Sequence, residues 1–342
     1  MFDFEKFFQR HKFIPLILVL LLLMLSVAEK FLTYSSAVKR NFNVTNIEYP
    51  SISITPKNHV FEAKIIDKLI GHSFRNLQGL DHQKINKFGD IIAVASGYTE
   101  SGFLLNEKQK RLSTFNFSFE GKKSALAGSA LILRDKRVAL TGYLTGKIHL
   151  FNLEGDFLET FPIKNGETPT LINPLGLIQR NNGNILVTDP GNSRIVELSE
   201  KGIFLHTIKF AGLKYPYQIE KLEGNLVISD RSANRIHIVS EPSKKIESYN
   251  GFKLTTSNHQ IPFLGNQGLT VDQSGKIYVV NTKRKEILVG TKNGRLIGVI
   301  KHPDFDWVRH ITILPEQKIA LTQFTEGELT GLLIIENPFK SK

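Results

Sequence analysis

The chain has 342 residues, 41% of them hydrophobic and 22% charged, a balance that excludes an intrinsically disordered polymer. It contains no cysteine, so disulfides, thiolate catalysis and cysteine-bound zinc or iron–sulfur clusters are excluded. Its formal net charge is +12, yet its densest basic clusters, Lys283-Arg284-Lys285 and Lys244-Lys245, are shorter than the runs that make nucleic-acid patches.

Residues 1–12 are polar and mixed in charge, and read as a cytoplasmic N-terminus. Residues 13–28 (FIPLILVLLLLMLSVA) then carry no charge at all. Extended by Phe31 and Leu32, this run predicts a membrane-spanning signal anchor over 13–32, because about 20 apolar residues cross a bilayer core of roughly 30 Å. A cleaved signal peptide is the competing reading, with Ser26-Val27-Ala28 as small residues before the cut. Either way the remainder is expected on the extracytoplasmic side, periplasmic or extracellular, as a single-pass protein. Residues 33–56, with Ser, Thr and Asn and with Pro50 and Pro56, read as a linker from the membrane.

From residue 57 to the end the chain repeats. Strand-like runs at 91–96, 138–142, 185–189, 226–230, 277–281 and 319–323 end 41 to 51 residues apart. A period of that length with several strands per unit is the mark of a β-propeller. Residues 173–210 are the clearest copy, with four apolar runs separated by Asn182-Gly183-Asn184, Asp189-Pro190-Gly191-Asn192 and Glu200-Lys201-Gly202. Such turns between short β-rich runs predict a four-stranded antiparallel meander. Six second strands but only five outer strands can be counted, so the sixth outer strand is assigned to residues 61–67 (FEAKIID). The expected fold is therefore all-β: a six-bladed propeller of four-stranded antiparallel blades, closed by an N-terminal strand and preceded by one transmembrane helix.

Residues 173–302 resemble the NHL-repeat family of propellers. The resemblance rests on Asn173-Pro174-Leu175-Gly176, Leu186-Val187-Thr188-Asp189 and Asn192-Ser193-Arg194-Ile195 in one unit. Tyr215-Pro216, Val227-Ile228-Ser229-Asp230 and Asn234-Arg235-Ile236 carry it in the next. A third unit has Gln267-Gly268-Leu269-Thr270-Val271-Asp272 and Ile277-Tyr278-Val279-Val280-Asn281, with Asn in place of Asp. More distantly the chain is similar to gluconolactonase-like and strictosidine-synthase-like propellers. That lactonase family uses a divalent metal held by Glu, Asn and Asp at the channel mouth, a set that these residues do not single out.

Asp189 and Asp230 read as turn caps, and the Asn-x-Arg that follows each as a partner for a neighbouring carboxylate or carbonyl. No metal-ligand spacing, nucleophile motif or phosphate loop occurs, so no catalytic residue, metal ligand or cofactor is assigned. The candidate site is the rim of the central channel, where inner strands begin. Gln78, Tyr217, Gln218, Gln267, Trp307, Arg309 and His310 stand there as ligand- or partner-binding residues, and Trp and Arg are the types enriched in binding hot spots. The expected function is a membrane-anchored binding, scaffold or sensor module for a protein, peptide or glycan. The alternative is a metal-dependent lactonase- or synthase-like hydrolase, and the third an RNA binder. Nucleic acid is disfavoured because the leading helix would place the propeller across the membrane from it.

Overall fold

The computed structural model describes residues 60–62, 65–69, 81–84, 92–95, 101–105, 111–116 and 127–340, the last apart from 162–169, 242, 258, 315–316 and 325–330. The expected segments 1–12, 13–32 and 33–56 lie outside the described residues. Among those described, no helix is long and apolar enough to cross a membrane.

Two short strands lead, β1 (Val60–Glu62) and β2 (Ile65–Leu69). β3 (Asp81–Lys84), β4 (Ile92–Ala95), β5 (Ser101–Leu105) and β6 (Arg111–Asn116) form one four-stranded sheet in chain order. The next holds β7 (Ala127–Ile132), β8 (Val138–Gly142), β9 (Lys147–Phe151) and β10 (Phe157–Phe161). It is followed by β11 (Leu177–Gln179), β12 (Ile185–Asp189), β13 (Arg194–Leu198) and β14 (Phe204–Ile208). Then come β15 (Pro216–Leu222), β16 (Asn225–Asp230), β17 (Arg235–Ser240) and β18 (Ile246–Tyr249). A separate hairpin of β19 (Gly251–Lys253) and β20 (Gln260–Pro262) interrupts the series. β21 (Asn266–Val271), β22 (Ile277–Asn281), β23 (Glu286–Gly290) and β24 (Leu296–Lys301) resume it, and β25 (Trp307–Ile313), β26 (Ile319–Phe324) and β27 (Gly331–Ile335) end it.

The innermost strands touch in sequence, β3 to β7, β11, β15, β21 and β25, and β25 returns to β3. This is the ring of a β-propeller. The last sheet has only three strands from the C-terminal part of the chain, and β2 completes it, pairing antiparallel with β27 from Ile65↔Ile335 to Leu69↔Leu332. The open edge is thereby covered.

Two expectations need correction. A ring of equal four-stranded blades is not what forms: five sheets have four strands, whereas that of β21–β24 has five. Its extra strand is β1, which runs parallel to β24 through Val60↔Val299 and Glu62↔Lys301. The stretch 61–67 is therefore divided between two sheets, and only the part from Ile65 closes the last one. The C-terminal end packs at the same place, with Phe61 and Phe339 edge to face at 4.6 Å over Gly298. The outer strand β18 stops at Tyr249, and Gly251 already pairs with Pro262 in the hairpin.

Burial follows the strand period. In β12 all five residues are buried, as a strand covered on both faces must be. Ile185 and Val187 join the apolar cluster shared with β7–β10, whereas Leu186 joins the one shared with β15–β18. The β11–β14 sheet thus feeds two cores, one toward either neighbour, through side chains that alternate with period two. The outer strands β14 and β18 alternate or stay exposed. The turn at Asn182-Gly183-Asn184 forms as expected, with Gly183 at φ +91° and the Asn182 side chain accepting from Asn184 N–H.

Candidate binding rim

Four inner strands are irregular at one place, their entry. Pairing slips between Ala127 and Ala130 in β7, Pro216 and Gln218 in β15, Asn266 and Leu269 in β21, and Val308 and His310 in β25. Such bulges insert extra residues and re-aim side chains beside functional sites. Those inserted are Gly128, Ser129, Tyr217, Gln267, Gly268 and Arg309.

Two inner strands that are not neighbours meet across this rim. Tyr217 Oη lies 3.0 Å from His310 Nε2, and the two rings stack at 5.2 Å with 20° between their planes. Tyr217 is 7% exposed and His310 1%. The strand between them, β21, presents Gly268 there. A Cβ on Gly268 would fall 2.5 Å from the Arg309 carbonyl oxygen and 2.8 Å from His310 Cα. Glycine is needed for this close approach, and its missing side chain leaves the passage that Tyr217 and His310 bridge.

The rim is also stitched to its neighbours. The Tyr217 carbonyl accepts from Gly176 N–H at 3.1 Å and from the Thr188 hydroxyl at 3.2 Å. Thr282 Oγ1 donates to the Val308 carbonyl at 2.9 Å. Gln218, 1% exposed, accepts from Leu269 N–H through Oε1 at 3.0 Å, and its own N–H donates to Ser229 Oγ. An amide N–H can only donate, so the Gln218 oxygen must face Leu269, and Nε2 is left as a buried donor with no acceptor. Arg309 Nε is likewise buried without an acceptor. Trp307, at 52% exposure, stands in water two residues away.

Of the residues singled out from sequence, Tyr217 and His310 are thus brought into contact, with Gln218 and Arg309 next to them along the chain and Trp307 exposed two residues before Arg309. Gln267 is placed by its backbone in the β21 bulge, and Gln78 lies outside the described residues. Sequence reasoning missed Tyr143, Tyr215 and Arg231. The hydroxyls of Tyr143 and Tyr215 lie 3.2 Å apart, and burial, reinforced by that hydrogen bond, raises the Tyr215 phenol above its ordinary value. Arg231 places its guanidinium 6.0 Å from the Tyr217 ring centroid. The available signal was Tyr215 two residues before Tyr217 on one entry segment.

The motif residues have another task. Asp189 accepts from Ile172 N–H at 2.7 Å, Asn192 Nδ2 at 2.8 Å and Arg194 Nε at 2.7 Å. It therefore ties the segment leading into β11 to the end of β12. Asp230 does the same for β15, accepting from Lys214 N–H, Tyr215 N–H and Ala233 N–H. Burial alone would raise the Asp230 carboxyl. The His237 hydrogen bond and these backbone donors outweigh it and hold the group below its ordinary value. Asn281 repeats the role with an amide, accepting from Leu264 N–H and donating to the Pro262 carbonyl and to Glu286.

One expectation changes here. Asn192 and Arg194 do reach Asp189, but Asn234 instead accepts from Gly265 N–H of the following segment. The place of arginine at Asp230 is taken by His237, whose Nε2 lies 3.4 Å from Asp230 Oδ2 and Nδ1 2.8 Å from Ser248 Oγ. In the neutral ring Nε2 carries the proton toward the carboxylate and Nδ1 accepts from the serine. Among the described residues no group of three or more His, Asp or Glu is arranged to hold a metal ion.

No protein-family model matches this chain, and no curated protein sequence does either. Solved structures do. A streptogramin B lyase aligns at a TM-score of 0.56 and 15% identity, over 80% of this chain and 87% of that one. Virginiamycin B lyase from Staphylococcus aureus aligns at 0.55 and 17%, over 82% and 90%. A luciferin-regenerating enzyme aligns at 0.59 and 12%, over 80% and 96%. Ring and neighbours together define the class: this chain is a β-propeller. At these identities the likeness is one of fold, and it carries neither the activity of the neighbours nor membership of the NHL family.

Proposed function

We propose that this chain is a binding module: a six-bladed, NHL-like propeller, held at a membrane by residues 13–32, that presents its inner-strand rim on the extracytoplasmic side to a protein, peptide or glycan. The blade count takes the five-stranded sheet of β21–β24 as one blade bearing an added strand. The observation that carries the reading is the contrast in exposure at the entry to β25. His310 is committed to Tyr217 in the interior, while Trp307, three residues earlier, stays in solvent at 52% exposure. A large aromatic beside a half-buried arginine, on a rigid strand, has the composition of an interface hot spot. The anchor is supported by the uncharged run 13–28. Recovery of partners by the full-length chain from host membranes tests the reading. A Trp307→Ala, Arg309→Ala double variant should lose them, and equal recovery by both proteins would refute it.

A further inference from the structure

The rim has a chemical sign. Gln218 Nε2 and Arg309 Nε are both buried, both donors, and both without an acceptor. They belong to one packed unit. Gln218 bonds Leu269, and Gly268, one residue before Leu269, abuts the Arg309 carbonyl and His310 Cα. Among the described residues, the acids near this end of the sheets are already committed. Asp189 and Asp230 hold backbone N–H groups. Glu286 is ion-paired with Arg284 and Lys301, and Asp306 with Lys285. Leaving a buried donor unpaired costs about 1–3 kcal/mol, and more for a charged group, so two at this rim point to an acceptor that arrives with a ligand. Among the described residues no carboxylate pairs with Arg309, and an amide N–H₂ and a guanidinium are both donors suited to the oxygens of a carboxylate.

Building on the proposed rim, we infer that the group recognised there is a carboxylate, received by Gln218 Nε2 and the Arg309 guanidinium beside the Tyr217–His310 pair. The ligand is thus acidic: a peptide end, or a sugar acid of a glycan. The site is too small a part of the ring to read a long chain by itself, so the carboxylate serves as the anchoring point of a larger contact that includes Trp307.

The sequence contains one tryptophan, so Trp307 emission reports on this rim alone. The full-length chain is titrated with D-glucuronate against D-glucose, and with N-acetylalanine against its amide. One acid should give a saturable change with at least tenfold weaker binding of its neutral counterpart, and which acid does so distinguishes a sugar acid from a peptide end. Gln218→Glu keeps an oxygen for Leu269 N–H but replaces the donor with an acceptor, and should weaken the acid by more than tenfold. Arg309→Gln should do likewise, and Arg309→Lys should lose less. An equal response to acid and neutral probes, no response to either acid, or unchanged binding in both Gln218→Glu and Arg309→Gln would overturn the inference. If partner recovery still depends on Trp307 and Arg309 while no acid binds, only this inference falls. If recovery does not depend on them, the rim itself is refuted.

Discussion

The sheets β11–β14 and β15–β18 carry the same sequence motif and use it differently. In the first, Asp189, Asn192 and Arg194 close on one another, and the entry to the inner strand is Leu175-Gly176, apolar and without reach. In the second, Asp230 turns to His237, itself bonded to Ser248, Asn234 reaches the next segment, and the inner strand enters through a bulge at Tyr217, just before Gln218. The motif is a fastener that tolerates rewiring, because any group able to accept from the entry segment's N–H serves, as Asn281 also shows. The rim is where copies differ in what they offer a ligand. Recognisable residues hold the ring, and the proposed site lies among the unrepeated ones.

The fastener should break most severely where it is most closed. Asp189→Ala leaves Arg194 and the Ile172 N–H without their buried acceptor. It should cost about 3–5 kcal/mol, the usual penalty for removing one member of a buried pair, read as a lowered urea midpoint. His149→Gln tests the ring in a different way. Burial, aided by Lys147, lowers the His149 ring from 6.5 to about 4. The unfolded chain therefore binds the proton first. Stability is complete above about pH 6.5 and falls as pH drops toward 4, by about 3 kcal/mol in all. His149→Gln should flatten thermal melts across that window. Asp230 acts separately: its depressed value makes its contribution complete above its ordinary carboxylate range and lost only at lower pH.

The rim responds more mildly in stability and more in function. Gly268→Ala forces a Cβ onto the β25 backbone and should cost about 1–3 kcal/mol as an overpacked contact. The His310 ring resonances should shift in the NMR spectrum as Tyr217 and His310 are driven apart. Trp307→Ala should change stability by less than about 0.5 kcal/mol, as an exposed position does, while removing partner recovery.

Much of this was legible in sequence because strands and turns are local. Asn182-Gly183 marks its turn wherever it occurs, and the spacing of the second strands reveals the repeat. Closure by the strand that includes Ile65 was legible by counting, since one outer strand was missing. The diversion of Val60–Glu62 to β24 was not, because parallel pairing of a three-residue strand leaves no periodic trace. At the rim, the strand entries identified Tyr217, Gln218, Arg309 and His310. The Tyr217–His310 bond joins residues 93 apart and depends on a glycine in a third strand, so no local pattern encodes it. The replacement of Arg235 by His237 at Asp230 was hidden for a related reason. Arg235 keeps the motif's identity and its Cα register opposite Asp230 while another residue takes its bond.

The central claim is that partners meet the rim and not the outer edges of the blades. A photo-reactive amino acid placed at Trp307, and separately at Leu205 on β14, compares the two directly, since both positions are exposed. Irradiation of the full-length chain in host membranes should yield a discrete adduct from position 307 and none from 205. Adducts from 205 alone, or equally from both, would contradict the account.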